Sequence, residues 1–194
     1  MMKTKLPFSP HQLTQFMDAC WFESYFSTEE VAALNDRWDE KNKQVAHVAE
    51  DGQHIPSLRK SSVTFIEPGE DDFQDFMNRL GQLAIQVNHQ RYNFDLLGFY
   101  EPIQIAKYTE GDFFDWHMDF TNESASNRKL SISIQLSQPD EYEGGDLQFM
   151  VNTKHINAPR TPGTVIIFPS FIQHRVTPIT KGCRRSLVGW VTGA

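Results

Sequence analysis

From Phe73 to Val87 the apolar residues Phe73, Phe76, Met77, Leu80, Leu83, Ala84 and Val87 recur at steps of three and four, the period of a helix with one buried face. One long amphipathic helix is predicted there. A shorter one is predicted after Ser27, because Ser27 and Glu30 have capping-box spacing ahead of Val31, Leu34 and Trp38. Between the two, Lys41 to Ser57 is polar and reads as a loop, and Arg59 to Ile66 reads as a strand closed by Pro68-Gly69. Beyond Gly98 the period falls to two. Strands are predicted over Ile103–Thr109, Leu130–Leu136, Asp146–Val151, Thr164–Phe168, Gln173–Ile179 and Ser186–Thr192, with turn signals at Glu110-Gly111-Asp112, Gly144-Gly145, Pro162-Gly163 and Lys181-Gly182. Leu130 to Leu136 alternates apolar and polar residues without a break, as a half-buried strand does, with its even-numbered residues on one face. The chain therefore reads as mostly β, with N-terminal helices packed on a double-sheet β-core.

Composition narrows the function classes. A length of 194 residues supports one domain, and 39% hydrophobic with 12% aromatic residues is ample for a core. Lys and Arg number 18 against 25 Asp and Glu, a net charge of −7 with no basic stripe, which argues against nucleic acid as a partner. Cys20 and Cys183 have no metal-finger or CxxC spacing and read as reduced thiols. The opening MMKTKLPFSPHQ lacks the apolar stretch of a secretion signal, so a cytoplasmic location is expected. No window approaches the roughly 20 apolar residues of a membrane span. Oligomeric state is not legible in the pattern.

The candidate chemistry centres on Asp115-Trp116-His117-Met118-Asp119. On a strand, residues two apart share a side, so His117 and Asp119 can share one metal ion. His-x-Asp is common by chance, and what raises its weight is its company. His174 opens a later strand and completes a set of two histidines and one carboxylate, which leaves half of an octahedral ion open, as in non-haem Fe(II) oxygenases. Arg184 follows ten positions on, and Ser186 lies on the same strand side as Arg184. A guanidinium fork with a hydroxyl beside it suits a carboxylate. Such a clamp near a metal fits a dicarboxylate whose other end chelates the ion, which describes 2-oxoglutarate.

At these residues the sequence resembles the Fe(II)/2-oxoglutarate-dependent oxygenases, in the prolyl 4-hydroxylase-like branch that includes PKHD-type hydroxylases. The resemblance runs through Ile105 to Gly111, His117-Met118-Asp119, the strand from Leu130, Tyr142 to Leu147, Gly163 to Pro169 and His174 to Trp190, and covers about residues 100 to 193. Arg59 to Phe65 is similar to an arginine-serine strand of the same branch, while the first 45 residues match no part of it. The resemblance implies a double-stranded β-helix (jelly-roll) core over 98–194, supported by 1–97, in a single domain. It implies His117, Asp119 and His174 as iron ligands and catalytic centre, Arg184 as partner of the distal carboxylate of 2-oxoglutarate, and Tyr108 and Ser186 as further cosubstrate contacts. Tyr108 reads equally well as a core aromatic. The implied cofactors are Fe(II), 2-oxoglutarate and O2, with ascorbate as a candidate reductant. The implied reaction is hydroxylation of a C–H bond with release of succinate and CO2. A peptidyl residue such as proline is the favoured substrate, and a small molecule the alternative.

Asp119 favours hydroxylation over halogenation, since related halogenases carry a small residue at that position. Trp190 stands where nucleic-acid demethylases of the superfamily carry a second arginine, which again argues against nucleic acid. A cupin-like metal-binding protein and a non-catalytic interaction module are the rival classes. Cupins favour His-x-His, however, which this chain does not have around Met118. Trp116 and Trp190 read as packing residues and Arg185 as a charge on the opposite strand face from Arg184. His11, His47, His54, His89 and His155 have no partner at ligand spacing. Lys41–Ser57 and Phe120–Asn127 are candidate substrate-covering loops.

Overall fold

The computed structural model describes residues 19–46, 55–67, 69–120 and 127–194. Along the chain these form β1 (Cys20–Phe22), α1 (Thr28–Asp36), β2 (Gln44–Val45), β3 (Arg59–Lys60), β4 (Ser62–Ile66), α2 (Gln74–Val87), β5 (Leu96–Gly98), β6 (Ile103–Thr109), β7 (Phe113–His117) and β8 (Arg128–Gln135). They continue as β9 (Tyr142–Gly144), β10 (Leu147–Val151), β11 (Lys154–Asn157), β12 (Val165–Pro169), β13 (His174–Val176) and β14 (Ile179–Gly193). Of the two candidate covering loops, residues 47–54 and 121–126 fall outside the described residues.

The helices form where the pattern predicts them. Ser27 caps α1 reciprocally: its hydroxyl accepts from the Glu30 amide at 3.3 Å, and its own amide donates to Glu30 Oε2 at 2.8 Å. In α2, Met77, Leu80, Leu83, Ala84 and Val87 bury one face. The helix ends in a π turn, Asn88–Tyr92, which Asn93 closes with a left-handed φ of 56°.

Among the described residues the strands make two sheets. The major sheet runs β1-β12-β8-β14-β6-β4-β2, with β5 and β9 also paired to β14, and the minor sheet runs β11-β10-β13-β7-β3. Two buried clusters lie on opposite faces of the major sheet. Leu130, Ile132, Ile134, Val165, Ile167 and Leu187 pack with α2 in one, and Ala106, Tyr108, Ile166 and Phe168 pack with Leu147, Phe149 and Val176 of the minor sheet in the other. This is the layout of a jelly roll with a helical layer outside it.

Three predicted strands are corrected. Arg59–Ile66 is two strands, since β3 pairs with β7 in the minor sheet while β4 pairs with β6 in the major one, and the chain crosses over at Ser61. The predicted Gln173–Ile179 breaks at Pro178, which has no amide to donate to a ladder. Lys181-Gly182 ends no strand: Gly182 takes φ 80° in an irregular stretch of pairing with β9, so β14 runs from Ile179 through the predicted Ser186–Thr192 to Gly193. Half-burial of β8 also fails, because Ser131, Ser133 and Gln135 are as buried as Leu130, Ile132 and Ile134. Its polar face is roofed by the minor sheet rather than by water.

Candidate active site

Asp119 does not lie on the strand that carries His117. His117 is the last residue of β7, where Asp115 and Trp116 bulge opposite the single residue Arg175. Asp119 sits two residues beyond, and the amides of Asp119 and Phe120 both donate to the Ser170 carbonyl, at 2.9 and 3.1 Å. That anchor aims the carboxylate back beside His117. His174 opens β13 directly opposite His117.

The three side chains offer ligand atoms within 4.8 Å of one another. His117 Nε2 lies 3.6 Å from Asp119 Oδ1, and His174 Nε2 lies 3.5 Å from Asp119 Oδ2. The far side of each imidazole is fixed by backbone: His117 Nδ1 faces the Asp115 carbonyl at 2.7 Å and His174 Nδ1 faces the Ile172 carbonyl at 2.9 Å. A carbonyl can only accept, so Nδ1 carries the hydrogen and the Nε2 lone pair is left for a metal. Burial and the neighbouring His117 push the pKa of His174 down to about 4, so it is neutral and ligand-competent near pH 7. Burial alone would raise the Asp119 carboxyl, but the two imidazoles and the Ser131 hydroxyl outweigh it and hold the group below its ordinary value. Ser131 donates to Asp119 Oδ2 at 2.6 Å. The donor set suits a divalent first-row ion such as Fe(II).

Arg184, Tyr108 and Ser186 line the same cavity as the three. Arg184 is 1% exposed, and its Nε is buried without a hydrogen-bond partner. Among the described residues no carboxylate pairs with it. A buried cation without a counter-charge is costly, and an anionic ligand removes that cost. The Arg184 stem is packed through Gly145, where a Cβ would fall 2.4 Å from Ile179 Cδ1 and 3.1 Å from Arg184 Cδ. Tyr108 is 3% exposed and has the Arg184 guanidinium 5.7 Å from its ring centroid, so it is both a core aromatic and a cavity wall.

Phe114, Arg59 and Trp190 line the cavity as well. Phe114 stacks on the His117 ring at 3.4 Å between centroids, and Arg59 lies 4.7 Å above Phe114, held through Nε by Ser61. Trp190, read from the sequence as packing, lines the cavity while Arg128 covers its ring at 3.7 Å. Arg128 is tied to Glu101 and donates to the Asp119 carbonyl at 3.3 Å. Trp116 packs under Arg175, and Arg185 points away from the cavity, towards Trp38.

Residues 103–192 match the model of the 2OG-Fe(II) oxygenase superfamily. Over 102 residues the chain is 33% identical to a PKHD-type hydroxylase of Synechococcus sp. (strain CC9605), covering 51% of this chain and 45% of that protein. A second PKHD-type hydroxylase, from Synechococcus sp. (strain CC9902), is 36% identical over 101 residues, again 45% of its length. The chain thus spans less than half the length of the curated relatives it matches. The fold aligns with a Pseudomonas putida prolyl-4-hydroxylase at TM-score 0.71 and 22% identity, over 91% of this chain and 92% of that one. It also aligns with a Trichoplax adhaerens prolyl hydroxylase, solved with a hypoxia inducible factor peptide fragment, at TM-score 0.75 and 16% identity, over 94% and 86% of the two chains. Among the described residues no helix is long and apolar enough to cross a membrane.

Proposed function

We propose that the chain is an oxygenase of the 2OG-Fe(II) superfamily, whose model residues 103–192 match, and that it acts as a hydroxylase on a C–H bond of a peptidyl residue, with proline the first candidate. The observation that carries this reading is a buried, uncompensated Arg184 lining one cavity with a two-histidine, one-carboxylate cluster. When bound, Fe(II) and 2-oxoglutarate supply the oxidising power, with O2 consumed and succinate and CO2 released. The protein's part is placement. His117, His174 and Asp119 would hold the metal, with both Nδ1 protons parked on backbone carbonyls. Arg184 and Ser186 receive the distal carboxylate, and Tyr108 walls it in. Phe114 and Trp190 form apolar walls that shed water from the reacting carbon. A peptide substrate is supported by the prolyl hydroxylase fold and the PKHD-type relatives. Ascorbate is the candidate reductant.

The test is the anaerobic visible spectrum on adding Fe(II) and then 2-oxoglutarate. A charge-transfer band is expected, absent in His174→Ala and demanding more cosubstrate in Arg184→Ala. No band in folded wild-type protein would sink the assignment. Turnover with proline-containing peptides against small 2-hydroxylatable metabolites then separates the peptide reading from the small-molecule one.

A further inference from the structure

Arg184 is held in place by uncharged groups. Its NH1 donates to Ser186 Oγ at 3.2 Å, its NH2 to Gln135 Oε1 at 2.9 Å, and the Tyr108 ring lies alongside. Gln135, at the end of β8, is itself 2% exposed. Its Nε2 donates to the Pro159 carbonyl at 3.2 Å. A carbonyl cannot donate, so the amide has one satisfiable orientation, with nitrogen towards Pro159 and oxygen towards Arg184. The Gln135 backbone is pinned as well: its amide donates to the Thr164 carbonyl at 3.1 Å, and its carbonyl accepts from the Gly163 amide at 2.9 Å. The side chain is therefore a fixed acceptor that fits an arginine and carries no charge of its own.

We infer that Gln135 is the positioning residue that sets cosubstrate selectivity, aiming the Arg184 guanidinium while leaving its whole positive charge for the far end of a 2-oxo acid. This rests on the proposed use of 2-oxoglutarate. A carboxylate at position 135 would have nearly the same shape and would make a stronger bond to Arg184. It would also neutralise the cation and put a like charge beside an incoming carboxylate. An apolar side chain would remove the aim and keep the charge. Selectivity for an anionic tail should thus respond differently to the two changes.

The experiment is calorimetric titration of Mn(II)-loaded protein under nitrogen with 2-oxoglutarate and with 5-methyl-2-oxohexanoate, which has the same shape and a neutral end. Wild type, Gln135→Glu and Gln135→Met are compared, with Mn(II) affinity measured separately. In Gln135→Glu the affinity for 2-oxoglutarate is expected to fall about 100-fold, the scale of a lost buried charge contact, while that for the neutral acid changes less than about threefold. In Gln135→Met the loss for 2-oxoglutarate is expected to be about tenfold, as for one hydrogen bond to a charged group, so most of the preference for the anionic tail survives. Mn(II) affinity should not move. Equal losses for both acids in Gln135→Glu, or an unchanged affinity for 2-oxoglutarate there, would overturn the inference and leave Gln135 a packing residue. Should Gln135→Glu not fold, an unchanged 2-oxoglutarate affinity in Gln135→Met overturns the aiming role and the expected loss supports it. Wild-type protein that binds neither acid would overturn the cosubstrate reading, and the inference with it.

Discussion

The two faces of the major sheet are built from the same strands and are held in different ways. Towards the helices, Leu130, Ile132, Ile134 and Leu187 meet Leu80, Leu83 and Val87 of α2, a contact that depends on area and volume. Towards the minor sheet, the intervening residues are Ser131, Ser133, Gln135, Arg184 and Ser186, all buried, with bonds from Ser131 to Asp119 and from Arg184 to Gln135. That contact depends on direction. The first face can exchange one apolar shape for another at small cost, whereas the second loses a specific partner with each change. Stability and chemistry therefore sit back to back on one backbone, and substitutions should separate them.

The largest separation is expected from His174→Ala. Succinate formation should fall by about a thousandfold or more while the urea midpoint stays near that of wild type, since the helix-side core is untouched. Leu80→Ala is the mirror image: Leu80 is fully buried in α2, and its loss should cost about 2–5 kcal/mol in urea unfolding while residual folded protein keeps its Fe(II) affinity. On the polar face, acid should act through His174. An unfolded histidine titrates near 6.5 and His174 at about 4, so between these values the unfolded chain takes up a proton that the fold refuses. Metal-free protein should lose on the order of 1–3 kcal/mol as pH falls through that window and no more from this group below it, whereas His174→Ala should lack this step. The smallest effect is expected from Ser131→Ala, which removes the hydrogen bond to Asp119 Oδ2 and should weaken Fe(II) binding by about tenfold with little change in unfolding. Equal damage to stability and binding in any of these variants would mean that the two faces are not separable.

The same comparison explains what the sequence made legible. The apolar stripe of α2, the Ser27 cap and the period-two runs from Ile103 onward announce themselves, because each is a local pattern repeated over several residues. The cluster of His117, Asp119 and His174 with Arg184 was legible from residue type and order together with the family resemblance those residues carry. The polar face of β8 was not: Ser131, Ser133 and Gln135 alternate with apolar residues as solvent-facing side chains do, and only the packing of the minor sheet over that face buries them. Phe114 escaped for a related reason, since the column of Arg59 and Phe114 over His117 is assembled from β3 and β7, neighbours only through a crossover. Trp190 belongs to both readings, packed beneath Arg128 and exposed to the cavity.

That crossover at Ser61 has a consequence for how the gene can vary. Arg59 is registered against Phe114 in one sheet, and Val63 and Ile66 are registered against Ala106 and Ile103 in the other. Adding or deleting a single codon between them would flip one set of side chains to the wrong face while leaving the other in place. The segment acts as a length gauge between the two sheets, open to many substitutions and closed to insertions.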